Sequence, residues 1–473
     1  MYKTKIGFVP SNWDAWDGNQ FTGKWARRMR DRCIAVLETI PGIELVVPSP
    51  ELTEDGCVGT PEDGRKTLEL FKREDVQGVI IGNMTFGHET SVGAFLSGLR
   101  KDMPIIHFCT RSGPISEQGN RSTDTWCGQF MTASAIKRRG FKFEHIRTCN
   151  PEEESFRKGM ETFSRVCNAI ARFKYARILQ VGIRPTGFES QFYSEENMMR
   201  QFGQTLIPVD LAQAFSYIDA ISPDAPEVVA LAEEIRASAD KVTRDLSDSL
   251  INQARFELAL KQIVAEHQAD AMASVCWSEL QSRYNIAACS TFARLNSQGI
   301  LTACESDVLG SITMLVLNAL GLNLTPPNFI DWTDLHPTES NVWLAWHCGA
   351  AAEQLCDPNC EKLLTSNERL ALWSDNCHGT LEFKLKNGGV TCARIVEYEG
   401  QYSCFFGNGE IIDIPPMSRG SYGWVKVNDV GDWEDKMIET GVIHHGVLIH
   451  DPKVADALEM FCKFMNINSV RGV

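Results

Sequence analysis

GILTACESDVLGSITMLVLNALGL, residues 299–322, is a short apolar step, a pair of carboxylates and then a long apolar run. The step is too short for a helix and the run too long for a strand, so the stretch reads as strand, turn, helix. Glu305 and Asp307 then stand at the carboxyl end of a strand, where parallel α/β proteins place their ligands. Asp307, or Ser306 beside it, suits the helix N-cap, because a short polar side chain accepts a hydrogen bond from the free N–H groups of the first turn. Glu305 directly follows the strand, has no capping duty, and is expected to point into the crevice.

The same unit recurs along the chain. KIGFVP (5–10), GVIIGN (78–83) and PIIHFCT (104–110) are strand-like, with segments of helical spacing between them, and the pattern restarts with ARILQVG (176–182) and DAMASVCW (270–277). Short apolar runs alternating with longer amphipathic ones predict βαβ units and parallel sheets. Residues 226–268 have few breakers and read as one long helix or two consecutive ones. From about 355 the character changes: TLEFKLKNGGVTCARIVEYEGQYSCFFGNGEIIDIPP (380–416) alternates apolar and polar residues between GG, EG and GNG turns, which predicts antiparallel hairpins. A helix over 453–466 closes the chain. The expected fold is α/β: two Rossmann-like parallel-sheet domains (1–174 and 175–350) followed by a β-rich, barrel-like C-terminal domain (351–473).

Composition narrows the function. The 473 residues are 43% hydrophobic and 23% charged, with a formal net charge of −15. That charge repels phosphate backbones, so nucleic acid is not expected as a partner. No window approaches the ~18 uninterrupted apolar residues of a bilayer span, and the N-terminus lacks a signal-like stretch, so the expectation is a cytoplasmic protein without a membrane partner. Sixteen cysteines scattered through apolar segments read as reduced, mostly buried thiols. Cys356 and Cys360 form a C-x3-C pair without a second pair or a histidine at zinc-finger spacing, which argues against zinc there.

Further polar residues fall at strand ends: His88 in GNMTFGHET (82–90), Arg111 in HFCTRSGP (107–114) and Arg184 in GIRPTGFES (182–190). NFIDWTDLHPTESNVWLAWHCG (328–349) adds Asp331 and His347, and GVIHHGVLIHD (441–451) adds His444 and His445. Glu, Asp and His together are the donors of an oxygen-rich divalent site for Mn²⁺ or Mg²⁺, although a lone histidine in a strand more often serves a backbone carbonyl. Neighbours on a strand face opposite ways, so at most one of His444 and His445 enters a given site. Arg111, Arg184 and His88 are candidates for an anionic group on a substrate, and Trp126 and Trp277 for stacking on a sugar, with packing an equal alternative.

CESD, then DW, then HCG, then HH in this order resemble the L-fucose isomerase and L-arabinose isomerase superfamily. DTWCGQFMTASAIKRRGFK (124–142), RPTGFESQFYSEENMMRQFGQTLIPVDL (184–211), NGGVTCARI (387–395) and GWV (423–425) are similar to further parts of that family, so the likeness runs over nearly the whole chain. The resemblance implies a Mn²⁺-dependent aldose–ketose isomerase acting on a monosaccharide through a cis-enediol, assembled as a trimeric or hexameric homo-oligomer with shared active sites. Glu305 and Asp331 match the two acidic ligands, which double as the acid/base pair. His445 matches the C-terminal histidine ligand, with His444 left open as its alternative and otherwise a substrate contact. His347 lies where the arabinose enzymes use a histidine and the fucose enzymes do not. A sugar lyase or epimerase on the same scaffold, or a non-catalytic sugar-binding protein, are the alternative readings.

Overall fold

The computed structural model describes residues 1–13, 25–243, 247–366 and 378–473. They divide into two compact units, Met1–Ala171 and Arg172–Val473. The first holds a parallel sheet of β1 (Thr4–Ser11), β2 (Ile43–Val46), β3 (Gly78–Asn83), β4 (Ile105–Cys109) and β5 (Glu144–His145), in the order β2-β1-β3-β4-β5. Every residue of GVIIGN and IIHFC is buried, as a parallel sheet covered on both faces requires. The helix Pro61–Arg73 opens with a capping box between Thr60 and Asp63 and has Pro61 at its first position. Gly64 lets it pack on the helix Glu89–Ser97, since a Cβ there would meet the Ser91 carbonyl at 2.2 Å.

The second unit contains two sheets. Strands β6 (Arg177–Val181), β7 (Thr205–Val209), β8 (Lys241–Val242), β9 (Ala271–Ser274) and β10 (Thr302–Ala303) follow one another in the chain. Four of them form a parallel sheet in the order β10-β9-β6-β7. The 226–268 segment is two helices, Pro226–Ala237 and Ser247–His267, with β8 between them.

The remaining strands are β11 (Asn328–Leu335), β12 (Val342–His347), β13 (Leu363–Ser366), β14 (His378–Lys384), β15 (Gly388–Tyr398), β16 (Gln401–Ile412), β17 (Ser421–Lys426), β18 (His445–Ile449) and β19 (Asn468–Arg471). Antiparallel pairing runs β16-β15-β18-β11-β12-β17, and β17 pairs back onto β16, which closes a six-stranded barrel. β19, β14, β13 and β8 extend the sheet to ten strands. Closure removes the free edges that a long antiparallel sheet would expose.

This sheet reaches back to Asn328. Asp331 and His347, which the sequence puts in the central α/β segment, therefore stand on barrel strands; a short apolar run looks the same whether its partner is parallel or antiparallel. The helix Val308–Leu320 is buried at every residue and packs on β6, β9 and β10 of the parallel sheet and on β11, β15 and β18 of the barrel. A helix apolar all round belongs in such a position, and each Leu or Ile sunk there contributes roughly 1.5–3 kcal/mol.

Candidate active site

The CESD turn is the meeting point of the parallel sheet, the buried helix and the barrel. After β10 the chain makes a single tight turn, Cys304–Ser306, in which Glu305 and Ser306 both take left-handed conformations, φ 59° and 57°. Such geometry costs a non-glycine residue on the order of 1–3 kcal/mol and persists only where its surroundings enforce it. Here Ser306 Oγ donates to the Gly182 carbonyl at 3.2 Å and accepts from Gln180 Nε2 at 3.2 Å, while Tyr193 donates to Gln180 Oε1 at 2.7 Å. Asp307 ends the turn as the helix cap, accepting from Gly310 N at 2.8 Å. The turn separates two carboxylates that are two residues apart. Asp307 is sealed into the interior, and Glu305 keeps an oxygen free.

The other donors come from the barrel. Asp331 and His445 are directly opposite each other on β11 and β18, so their side chains leave the sheet on one face. Gly446 allows this crossing, because a Cβ there would lie 2.2 Å from the Trp332 ring. On β12, Trp343 and Ala345 face the barrel core and Val342, Leu344 and Trp346 the opposite side. Strict alternation would send His347 inward, but it is the last residue of the strand, and one of its ring nitrogens lies within 4.8 Å of ligand atoms of Asp331 and His445. Glu305, His444 and His445 form a second such group, so His445 belongs to both; both neighbours reach one group, against the expectation from strand alternation, because β18 begins at His445 and its pleat does not hold His444. His445 Nε2 is 3.3 Å from Glu305 Oε2 and 3.7 Å from Asp331 Oδ1.

Glu305 Oε2, Asp331 Oδ1, His445 Nε2 and both ring nitrogens of His347 are buried without a hydrogen-bond partner. Buried polar atoms are almost always paired, and a cluster of unpaired ones is the mark of a site for a ligand. Two carboxylates and imidazoles whose unpartnered atoms face one another fit a divalent cation, and their donor types fit Mn²⁺ or Mg²⁺.

Electrostatics follow from the same contacts. Burial pushes the Asp307 carboxyl up, but the Arg394 guanidinium and His445 outweigh it and hold it well below the usual carboxylate range. Burial likewise opposes the charge of Glu305, which His445 nonetheless keeps below its ordinary value. Burial would lower His445, yet its hydrogen bond to Asp307 and its closeness to Glu305 push it up to about 9.

The loop after β6 borders the cluster. Phe188 sets its ring 5.0 Å from that of His444 and 5.8 Å from that of Trp277, both edge-on. His444 is exposed while His445 is fully buried. Arg184, in the same loop, is half-buried and makes no hydrogen bond or ion pair among the described residues. Three residues singled out in the sequence lie in the first unit. Arg111 holds Glu153 with two hydrogen bonds, at 2.7 and 3.0 Å. His88 bonds Thr90 through Nδ1 and stacks on Trp13, and Trp126 is 63% exposed with its edge against Phe130.

Arg394 escaped the sequence reading. It lies fully buried on β15 and grips Asp307 with both terminal nitrogens. The signal was present: in VTCARIV an arginine interrupts an apolar run, where a charge needs a buried partner.

Carboxylates and imidazoles gathered where the parallel sheet meets the barrel suit proton transfer beside a cation, and comparison with known proteins specifies the class. The family model described as the fucose/sulfoquinovose isomerase N-terminal domain matches residues 17–174, and that of the L-fucose isomerase C-terminal domain matches 345–471. The protein is a sugar isomerase. It belongs to the fucose isomerase-like family. Among curated relatives it is 26% identical to the sulfoquinovose isomerase of Alkalicoccus urumqiensis, over 79% of this chain and 81% of that one. It is 23% identical to the sulfoquinovose isomerase of Priestia megaterium, over 87% and 89%. The Clostridium sp. (strain MSTE9) enzyme of the same name is 27% identical over 58% of this chain and 60% of its own length.

Proposed function

We propose that the protein is a divalent-cation-dependent aldose–ketose isomerase whose substrate is a monosaccharide bearing an anionic group, in first place a 6-sulfonated aldohexose such as sulfoquinovose. The observation that carries the reading is the convergence of unpaired, buried donor atoms from Glu305, Asp331, His347 and His445. Relatives named for sulfoquinovose support the substrate class. Glu305, Asp331 and His445 are the ligands, with His347 as the fourth. Mn²⁺, or Mg²⁺ in its stead, supplies Lewis-acid stabilisation of the charge that develops on the two sugar oxygens.

In the reaction a base takes the proton from C2 of the open-chain aldose, giving a cis-enediol, and the same proton or one from solvent returns to C1. A second proton moves from the O2 to the O1 side, so the ketose carries the same atoms as the aldose. Glu305 and Asp331 divide these two transfers, each being a carboxylate with an oxygen not engaged elsewhere. Arg184 is the best placed cation for the anionic substituent: it stands in the loop whose Phe188 touches His444, and no described residue occupies its guanidinium. Trp277 and His444 flank the same entrance.

A trimeric or hexameric cytoplasmic enzyme accords with the family resemblance. The described cysteines are all free thiols, and no described helix is long and apolar enough to cross a membrane.

The test is turnover of the purified chain with Mn²⁺, and then with EDTA, on sulfoquinovose, the corresponding 6-deoxy sugar, L-fucose and L-arabinose in D₂O. Metal-dependent formation of the sulfonated ketose is expected, with deuterium at C1 to the extent that the base exchanges its proton with solvent. Conversion of neutral sugars alone would overturn the anionic substrate, and no conversion of any of them would overturn the isomerase reading of this site.

A further inference from the structure

Asp307 accepts four hydrogen bonds, two at each oxygen. Gly310 N and Arg394 Nη2 reach Oδ1 at 2.8 and 3.0 Å, and Arg394 Nη1 and His445 Nδ1 reach Oδ2 at 2.5 and 2.9 Å. Asp307, Arg394 and His445 are each 1% exposed or less, so water does not compete for any of these bonds. Four acceptor sites are all that a carboxylate has. Its orientation is therefore fixed by the helix cap on one side and the guanidinium fork on the other. Because Arg394 can only donate, the shared oxygen can only accept, and the proton between Asp307 and the imidazole sits on His445 Nδ1. The remaining nitrogen, Nε2, is turned toward Glu305 Oε2 and Asp331 Oδ1, at 3.3 and 3.7 Å, and is the one that would face a cation held by them.

We propose that Arg394 is a positioning residue of the cation centre: acting through Asp307, it fixes the rotamer and tautomer of His445 so that Nε2 is presented as a ligand. The proposal rests on the reading of Glu305, Asp331 and His445 as cation ligands. A carboxylate on the far nitrogen of a metal-binding imidazole is a familiar way of orienting it. What this chain adds is a buried arginine that locks the carboxylate itself. A simpler role, in which the pair only clips the helix Val308–Leu320 to β15, would leave the direction of the His445 lone pair to chance.

Asp307→Asn separates the two roles. With its amide nitrogen toward Gly310, the new side chain sets two donors against donors, at Gly310 N and Arg394 Nη2. With the nitrogen toward His445 it sets only Arg394 Nη1 against a donor. The second orientation is preferred, and it presents an N–H to His445 Nδ1, which moves the ring proton to Nε2 and blocks the ligand lone pair. Arg394→Lys keeps the charge but cannot fork, so it loosens the carboxylate without reversing the tautomer.

The experiment measures Mn²⁺ affinity by titration calorimetry and the visible absorption of the Co²⁺-loaded full-length chain, together with the melting temperature of the metal-free protein. Asp307→Asn is expected to weaken Mn²⁺ binding about 10–100-fold and to change the Co²⁺ bands. Arg394→Lys is expected to do so by a smaller factor in the same direction, and it carries the test by itself if the asparagine variant does not fold. Lower melting temperatures with wild-type Mn²⁺ affinity and an unchanged Co²⁺ spectrum would overturn the proposal in favour of a structural clip. Failure of the unaltered protein to bind Mn²⁺ would instead overturn the ligand reading on which it stands.

Discussion

At the carboxyl ends of β1, β3 and β4, polar side chains are largely engaged with one another; after β10 and along β11, β12 and β18 they face one another around a common point. In the first unit Asn83 joins His107 Nε2 at 2.9 Å and the Phe86 carbonyl at 2.9 Å, Thr85 donates to Asn12, and Arg111 is taken by Glu153. In the second unit atoms of Glu305, Asp331, His347 and His445 converge with no hydrogen-bond partner outside the group, the 3.3 Å approach of His445 Nε2 to Glu305 Oε2 being the closest among them. The first region follows the rule that strand ends in parallel sheets are polar; in the second only Glu305 stands at such an end, and the other three come from antiparallel barrel strands. Single unpaired atoms occur in both regions, His107 Nδ1 and Gln129 Oε1 among them; what marks the second is that several carboxylate and imidazole atoms meet within reach of one ion, where a ligand would relieve a cost of about 1–3 kcal/mol per unpaired group.

The comparison is broken most directly at Glu305. If its oxygen is free because it is a base and a ligand, Glu305→Gln should lower kcat by about 10²–10⁴-fold while far-UV circular dichroism remains that of the parent. Near-normal turnover would move the base elsewhere. Next in size is removal of the cation. A ligand that binds only the folded chain stabilises it by about 2.7 kcal/mol when present at a hundred times its Kd, so EDTA should lower the melting temperature, and Mn²⁺ should restore it in a concentration-dependent way.

The pH dependence sharpens the same contrast. The folded state raises His445 from its ordinary 6.5 to about 9. A raised pKa means that the bound proton stabilises the metal-free fold fully below about 6.5 and ceases to do so as pH rises through about 9. A cation at Nε2 must displace that proton, so its affinity should run the other way, improving about tenfold per unit up to about pH 9. Calorimetry and thermal melts of metal-free protein between pH 6 and 9.5 measure both slopes, and parallel slopes would mean that His445 is not a ligand.

How much of this was legible in the sequence differs between the two regions as well. The restarting βαβ rhythm and the hairpin turns after residue 380 are local patterns, and they foretold the parallel sheets and the antiparallel barrel. Which strands close the barrel was not legible, because closure depends on β16 being long enough to pair with β15, β17 and β19 together. Within the site, Asp307 is a cap in the sequence and a cap in the structure, since an N-cap is decided within one turn. Its three further bonds come from β15 and β18, and no spacing rule connects position 307 with positions 394 and 445. His347 is a similar case: alternation along β12 points it inward, and only its place at the strand end brings it to Asp331.

The smallest expected effect tests the arginines, which the sequence treats alike and the structure does not. Arg184 has no partner among the described residues, while Arg111 is committed to Glu153 at a solvent-exposed position. An exposed, solvent-screened ion pair adds little to stability, so Arg111→Ala should shift the melting temperature slightly and leave KM within about twofold. A charged hydrogen bond to a bound anion is worth about 1.5–3 kcal/mol, so Arg184→Ala should raise KM for a sulfonated sugar about 10- to 100-fold and leave that for its neutral 6-deoxy counterpart unchanged. Equal effects of Arg184→Ala on the two sugars would mean that the loop serves the ring or the fold and not the anion. The reverse ranking of the two arginines would show that a salt bridge seen in the free chain is no guide to which guanidinium the substrate takes.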